Sequence, residues 1–113
     1  MIDYDLSICI NTRNRSNYLI ETIETILPYH NNSTEVVIVD GGSTDNTSDI
    51  CKDYSARYPF IKYYQQTDKI GIDEGYDLSV KFSSGKYCWL LPDDDVLTDD
   101  ALDILFKKYL CLL

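Results

Sequence analysis

The sequence predicts an α/β fold in which helices cover both faces of a mainly parallel β-sheet. Short runs of β-favouring residues alternate with longer segments that have helical spacing, which is the pattern of βαβ units. Residues 36–39 (VVIV) are apolar at every position, as a central strand covered on both faces should be. Polar clusters follow three of the four predicted strands, at the ends where open α/β sheets bind ligands.

The predicted strands are short and apolar, and they cover residues 6–10, 36–39, 61–65 and 87–91. We expect the fourth strand (YCWLL) to be buried like the second. The first helix can be capped by Ser16 or Asn17 and ends at Pro28. Segment 71–84 has both helical and alternating spacing. We assign it as a helix, because Gly85 would terminate it and a parallel sheet needs a crossover there.

The last predicted helix has the charge pattern that a helix dipole favours, and we expect Thr98 to cap it. Two acidic residues lie in its first turn, Asp99 and Asp100, and two basic residues lie in its last turn, Lys107 and Lys108. Its apolar stripe consists of Leu102, Leu105, Phe106, Tyr109 and Leu113. This spacing predicts an amphipathic α-helix that packs against the sheet.

Length and charge limit the possible functions. The chain has 113 residues and a mass of 13.0 kDa, which suits one domain. Its 10 basic and 19 acidic residues give a net charge of −9, so its surface repels phosphate backbones and anionic lipid. We therefore expect no nucleic-acid partner, and a ligand that carries phosphate would need a metal ion between it and the protein.

Several features predict location and structural roles. Residues 1–5 lack the basic and apolar regions of a secretory signal, so we expect a cytoplasmic protein, with peripheral attachment to the inner membrane left open. His30 lies in a polar loop and is expected to be solvated. The cysteines lie in apolar stretches without zinc or redox spacing, which predicts reduced core residues. They are Cys9, Cys51, Cys88 and Cys111.

Three consecutive aspartates directly follow the fourth strand: Asp93, Asp94 and Asp95. Carboxylates this close raise one another's pKa and destabilise a fold unless something neutralises them, so a divalent cation is a natural partner. Oxygen ligands select Mg²⁺ or Mn²⁺, which binds one or two carboxylates together with phosphate oxygens. An acidic turn before a helix is the alternative interpretation, and the triplet alone supports the two equally.

Two more polar clusters follow the second and first strands. Asp40 ends the second strand, where its carboxylate can accept a hydrogen bond from a ribose hydroxyl or a base, and two glycines after it allow close backbone approach. Residues 43–45 open a helix whose N-terminus favours an anion, and they also suit a plain capping turn. After the first strand, Arg13 can stack on a base and Arg15 can pair with phosphate, or both are ordinary surface arginines.

Three motifs together resemble the family 2 glycosyltransferases of the GT-A fold. They are residues 6–15 (LSICINTRNR), 36–45 (VVIVDGGSTD) and 85–95 (GKYCWLLPDDD), which follow the family's order and cover nearly the whole chain. The resemblance implies a Rossmann-like three-layer sandwich with a mainly parallel sheet, truncated to about four strands in the order 3-2-1-4. Residues 1–113 would form a single nucleotide-sugar-binding domain, the donor half of the family's catalytic domain, with the acceptor half absent.

The resemblance also implies roles for individual residues. Contacts with the nucleotide sugar, of which UDP-type donors are the first choice, are implied for Thr12, Arg13, Arg15, Asp40, Asp73 and Asp93. A metal cofactor, Mn²⁺ or Mg²⁺, is implied at Asp94 and Asp95, with Asp94 a ligand in either register of the family's DXD-type motif. Pro92 stands where the common form of that motif has its first aspartate.

The implied reaction is transfer of a glycosyl group to a hydroxyl of a saccharide or lipid-linked acceptor, in cell-surface polysaccharide synthesis. The alternative is a non-catalytic fragment that binds a nucleoside diphosphate, because the family's catalytic domains are roughly twice this long and their second half supplies the general base. A receiver-like signalling domain is a distant third, because it needs acidic residues where Arg13 and Arg15 lie. We also expect Trp89 and Leu91 to form an apolar sheet edge that pairs with a second copy.

Overall fold

The structure is a computed structural model that describes residues 4–98 and 100–110, the last three of these as backbone only. Its strands are β1 (Leu6–Thr12), β2 (Thr34–Asp40), β3 (Ile61–Gln65) and β4 (Tyr87–Pro92). They form one parallel sheet in the order β3-β2-β1-β4, which confirms the predicted order. Thr12 lies beside Asp40 and Asn11 beside Pro92, so three strand ends meet at one edge.

The helices are α1 (Ser16–Ile26), α2 (Thr47–Arg57), α3 (Ile72–Phe82) and α4 (Ala101–Ile104). A 3₁₀ turn over Leu27–Tyr29 follows α1, and a π-helical segment over Leu105–Leu110 follows α4. Side chains from α1, α2 and α4 form the core on one face of the sheet, and α3 packs on the other face against β1 and β2. Across the described residues, no helix combines the length and the apolar character needed to cross a bilayer.

The core is built from alternate residues of the strands. Ile8 and Ile10 of β1 and Ile38 of β2 are fully buried against Leu19 and Ile23 of α1. Each such side chain stabilises the fold by about 1.5–3 kcal/mol relative to an exposed one. All seven residues of β2 are buried, which confirms that it is a central strand.

The prediction that β4 is buried is wrong. Tyr87 is 43% and Leu90 is 49% exposed, whereas Leu91 is buried and Trp89 packs against the core. Alternate residues of β4 face opposite sides of the sheet, and α3 packs mainly on β1 and β2, so one face of β4 stays open. Leu90 lies on this open face with Cys88, and Tyr87 is exposed at the start of the strand, whereas the edge residues that the sequence predicted are Trp89 and Leu91. Pairing of the edge with a second copy stays a prediction.

The first and last helices differ from their predicted forms. No side chain caps α1, so the predicted caps, Ser16 and Asn17, are wrong. The Thr98 hydroxyl donates to a carboxylate oxygen of Asp100 at 3.1 Å and does not cap α4, which spans only about one turn before the π-helical segment. Four residues of the predicted helix cannot be compared with the structure. Asp99 and Leu113 lie outside the described residues, and the side chains of Lys108 and Tyr109 are not described.

The helix predicted over segment 71–84 is confirmed, but Gly85 does not terminate it. α3 ends at Phe82, and the next residue is already extended. Gly85 instead lies against β1, where an added Cβ would be 2.7 Å from the backbone nitrogen of Ser7 and 2.8 Å from the carbonyl carbon of Leu6. A glycine is required here because two backbone segments come into contact.

Two of the four cysteine predictions are confirmed. Cys9 and Cys51 are buried free thiols, and burial raises the pKa of the Cys51 thiol to about 12, which keeps it unreactive. Cys88 is exposed, because it lies on the open face of β4, so its assignment to the core is wrong. Cys111 lies outside the described residues.

His30 is partly buried against the protein, so the prediction of a solvated side chain holds only in part. Its ring stacks on Phe60 with 3.5 Å between the ring centroids, and its Nε2 lies 3.1 Å from the Thr34 carbonyl oxygen. Burial lowers the pKa of His30, because it disfavours the charged imidazolium.

We expect His30 to make folding stability depend on pH. Its pKa in the folded chain lies below the ordinary value of 6.5, so the unfolded chain takes up the proton first as the pH falls. The neutral His30 side chain therefore makes its full contribution to the free energy of unfolding at pH values well above 6.5. This contribution is lost as the pH falls below 6.5. Melting temperatures are measured at several pH values from about 8 down to about 5. As the pH falls, the melting temperature of the native chain should drop more steeply than that of His30→Asn. Parallel curves for the two proteins would contradict this assignment.

Candidate functional site

A cleft of about 300 Å³ opens at the carboxyl edge of the sheet, between the ends of β1 and β2 and the start of α3. Ten residues line it: Asn11, Thr12, Arg13, Arg15, Gly41, Lys69, Ile70, Gly71, Ile72 and Asp93. Three of these residues are cationic and one is acidic, although the whole chain has a net charge of −9. The cleft is therefore suited to an anionic ligand.

Asp93 is buried, and its carboxylate joins several elements around the cleft. Thr12 Oγ1 donates to Asp93 Oδ2 at 2.9 Å, and Arg15 Nε lies 3.2 Å from Asp93 Oδ1. The hydroxyl of Thr22 on α1 donates to the Asp93 backbone carbonyl at 2.8 Å. Burial raises the pKa of Asp93, while the hydrogen bond from Thr12 and the charge of Arg15 act against that rise. The residue links β1, α1 and the end of β4.

Arg15 bridges the first two aspartates of the acidic triplet. One terminal nitrogen lies 3.1 Å from Asp94 Oδ2, and the guanidinium lies 4.7 Å from the ring centroid of Tyr18. Asp95 is exposed. Within residues 4–98 and 100–110, no group of three His, Cys, Asp or Glu side chains is arranged to hold a metal. Arg15 therefore neutralises part of the negative charge of the acidic triplet, which was expected to be neutralised by a metal cation.

Asp40 is fully buried and does not line the cleft. Its Oδ1 accepts a hydrogen bond from the Ser43 backbone N–H at 2.8 Å, and its Oδ2 accepts one from the Tyr63 hydroxyl at 2.6 Å. Burial and this carboxylate raise the pKa of Tyr63. Asp40 exposes no surface to a ligand in this arrangement, and its direct role in nucleotide binding stays a prediction.

Asn14 holds the turn after β2, a role that its sequence position did not predict. Its Oδ1 accepts hydrogen bonds from the backbone N–H groups of Thr44 at 2.7 Å and Asp45 at 3.2 Å. These donors were predicted to favour an anion, but the Asn14 side chain already occupies them. Asn14 itself has φ 54°, in the left-handed region that asparagine tolerates better than most residues.

The segment between β3 and α3 forms one wall of the cleft and was also missed. A Cβ on Gly41 would lie 3.4 Å from the Ile70 carbonyl oxygen, and one on Gly42, where φ is +94°, would lie 3.1 Å from the Asp68 carbonyl oxygen. The two glycines thus allow close approach of the protein's own backbone, which brings Lys69 to the cleft. The pair of glycines predicted a close backbone approach, and the structure shows that the approaching backbone is that of residues 68–70.

Two cleft residues have buried polar atoms without a hydrogen-bond partner, Arg13 Nε and Asn11 Oδ1. Buried polar atoms in native proteins are almost always paired with protein, ligand or ordered water, so a ligand or a water molecule is expected to accept a hydrogen bond from Arg13 Nε. Asp73 is exposed on the first turn of α3 and does not line the cleft, although Gly71 and Ile72 beside it do. The structure therefore brings together Thr12, Arg13, Arg15 and Asp93 of the predicted site, with Asp94 bound to Arg15.

Comparison with known proteins identifies the family. The model of the glycosyl transferase family 2 matches residues 7–110. The chain belongs to this family. A curated relative, the abequosyltransferase RfbV of Salmonella typhimurium, is 36% identical over 103 residues, which cover 88% of this chain and 31% of the relative. The chain spans about a third of the length of the first curated relatives that it matches.

Solved structures show that this family 2 chain has the GT-A fold. The crystal structure of S. aureus TarS in complex with UDP matches with a TM-score of 0.78 and 23% identity, over 91% of this chain and 32% of that chain. The mannosyltransferase PcManGT from Pyrobaculum calidifontis, in complex with GDP-Man and Mn²⁺, matches with a TM-score of 0.78 and 20% identity. This match covers 88% of the present chain and 30% of PcManGT. At these identities the matches establish the fold.

Proposed function

We propose that this family 2 chain binds a nucleoside diphosphate sugar in the cleft. The proposed reaction is transfer of the glycosyl group to a hydroxyl of a saccharide or lipid-linked acceptor, in cell-surface polysaccharide synthesis. One observation carries the proposal: Arg13, Arg15 and Lys69 line one cleft of an otherwise acidic chain, and Nε of Arg13 is buried there without a partner. A nucleoside diphosphate offers the oxygen acceptor that Arg13 Nε lacks, and its negative charge complements the three cationic side chains.

The cleft residues divide between the two ends of such a ligand. Thr12 and Arg13 lie at the end of β1, where we propose that they contact the base. Arg15 and Lys69 provide positive charge for the diphosphate. Asp73 lies beside the cleft wall on the first turn of α3, and we propose that it contacts the sugar. Asp93 holds Arg15 in place and is proposed to meet the ribose.

We propose that a divalent cation binds at Asp94 together with phosphate oxygens of the ligand. The Asp94 carboxylate is 50% exposed and follows the cleft residue Asp93, and hard oxygen ligands suit Mn²⁺ or Mg²⁺ when phosphate oxygens complete the shell. Asp95 is exposed next to it and is proposed as a second ligand. A cation bound there neutralises charge on the diphosphate leaving group. The PcManGT complex, which holds GDP-Man and Mn²⁺, supports this choice by similarity of fold.

Nucleotide binding without transfer is the second candidate, and one observation favours it. An inverting transfer needs a carboxylate that accepts the proton of the acceptor hydroxyl. Among the described residues that line the cleft, Asp93 is the one carboxylate, and Thr12 and Arg15 engage both of its oxygens. In this arrangement Asp93 is not free to act as the base.

Calorimetric titration with UDP, GDP, CDP and dTDP, each with and without Mn²⁺, tests the proposal. We expect one of the four to bind at least tenfold more tightly with Mn²⁺, since the cation links Asp94 to the diphosphate. UDP is the first choice, and the matching monophosphate is the control, because it lacks the second phosphate. Absence of binding by all four would refute the site. Release of the nucleoside diphosphate from a nucleotide sugar in the presence of an acceptor separates transfer from binding alone.

A further inference from the structure

Arg15 contacts both acidic groups beside the cleft with different nitrogens of one guanidinium. Its Nε lies 3.2 Å from Asp93 Oδ1, and a terminal nitrogen lies 3.1 Å from Asp94 Oδ2. The two contacts differ in environment, since the Asp93 side chain is 10% exposed and the Asp94 side chain 50%. Asp93 is also held by Thr12. The contact with Asp94 is therefore the one that solvent and ions can replace.

This bridge affects how a cation reaches Asp94. A guanidinium and a divalent cation on the same carboxylate repel each other, so the two compete for Asp94. Arg15 has other contacts to keep when it leaves Asp94. Its guanidinium lies 4.7 Å from the Tyr18 ring centroid, and its side chain lines the cleft, where diphosphate oxygens would be within reach.

We propose that Arg15 is an exchangeable counter-ion of Asp94. Without nucleotide it bonds to Asp94 and keeps the affinity for free metal low. When a nucleoside diphosphate binds, Arg15 transfers its hydrogen bond from Asp94 to a phosphate oxygen, and Asp94 becomes available to the cation. This inference rests on the proposed function. It makes metal and nucleotide binding cooperative, and each ligand must raise the affinity for the other by the same factor.

The test compares Arg15→Gln with Arg57→Gln. Arg57 is an exposed arginine on α2 that pairs with Asp53, so its replacement changes the net charge equally without touching the cleft. Mn²⁺ binding without nucleotide is measured from the loss of the free-ion signal in electron paramagnetic resonance. We expect Arg15→Gln to bind Mn²⁺ about tenfold more tightly than the native chain, and Arg57→Gln to stay within about twofold of it. The rise in Mn²⁺ affinity caused by the nucleotide should shrink in Arg15→Gln.

Equal Mn²⁺ affinity in Arg15→Gln and Arg57→Gln would overturn the inference, because the effect would then be one of overall charge. If Arg15→Gln does not fold, Arg15→Lys replaces it. A lysine keeps the charge but has no planar fork to bridge two carboxylates, so Mn²⁺ affinity should still rise about threefold, and no rise would overturn the inference. Failure of the proposed function looks different: the native chain then binds no nucleotide with Mn²⁺, whatever the variants do.

Discussion

Asp94→Asn should remove the metal-dependent part of nucleotide binding. Asparagine keeps the size of the side chain but loses the negative charge that holds a hard cation, and the affinity for the nucleoside diphosphate should fall to its value without metal. Loss of a residue that only hydrogen-bonds to a metal ligand lowers metal affinity about 10–100-fold. Loss of a direct ligand should lower it at least as much. Calorimetry with Mn²⁺ and the preferred diphosphate measures the change.

The matched control for this substitution is Asp53→Asn. Asp53 is an exposed carboxylate on α2 that is paired with Arg57 at 3.1 Å, much as Asp94 is paired with Arg15 at the same distance. Its loss should leave nucleotide binding unchanged. We also expect the melting temperature of Asp94→Asn to stay close to that of the native chain, because Arg15 keeps its contact with Asp93. Unchanged nucleotide affinity in Asp94→Asn would remove the metal from this position.

Gly85→Ala should destabilise the fold strongly, because the added methyl group meets backbone atoms of β1. The new Cβ would lie 2.6 Å from Ser7 Oγ and 2.7 Å from the Ser7 backbone nitrogen, and the backbone can only respond by moving β1. Overpacking of this kind costs about 1–3 kcal/mol, which corresponds to a fall in melting temperature of roughly 4–8 °C for each kcal/mol. Thermal denaturation followed by circular dichroism measures the loss.

Gly71→Ala is the control for Gly85→Ala, because a Cβ at Gly71 meets no atom within 4 Å. Its melting temperature should stay close to that of the native chain. A second reason makes the region around Gly85 sensitive: the Gly85 N–H donates to Ser7 Oγ at 2.8 Å, and Ser7 Oγ in turn donates to buried Glu35 at 2.7 Å. Equal stability of the two variants would show that β1 moves without cost.

The order of elements and the location of the cleft could be predicted from sequence because both depend on local patterns. Four apolar residues at 36–39 predict a strand buried on both faces, and the structure buries the whole of β2. Polar residues directly after β1, β2 and β4 were expected at one edge, and the parallel register places Thr12 beside Asp40 there. Neither inference required knowledge of distant contacts.

The errors share a physical cause, since each depends on which element packs against a residue. Cys88 and Leu90 are as apolar as their neighbours, but α3 leaves their face of β4 open. The contact of Asp40 with Tyr63, more than twenty positions away, likewise depends on the packing of β3 beside β2, and the role of Asp40 in nucleotide binding stays a prediction. Such pairings follow from the three-dimensional arrangement, and local sequence carries no signal for them.

By itself, the sequence determined the fold class, the strand order through family resemblance, and the edge of the sheet at which a ligand would bind. Hydrophobic periodicity and turn residues encode these features within short windows. Only the tertiary structure decided that Arg15 neutralises Asp94, that Lys69 reaches the cleft, and that Arg13 keeps an unpaired donor. These facts depend on distances between residues far apart in the chain, because long side chains reach whichever partner the packing brings near.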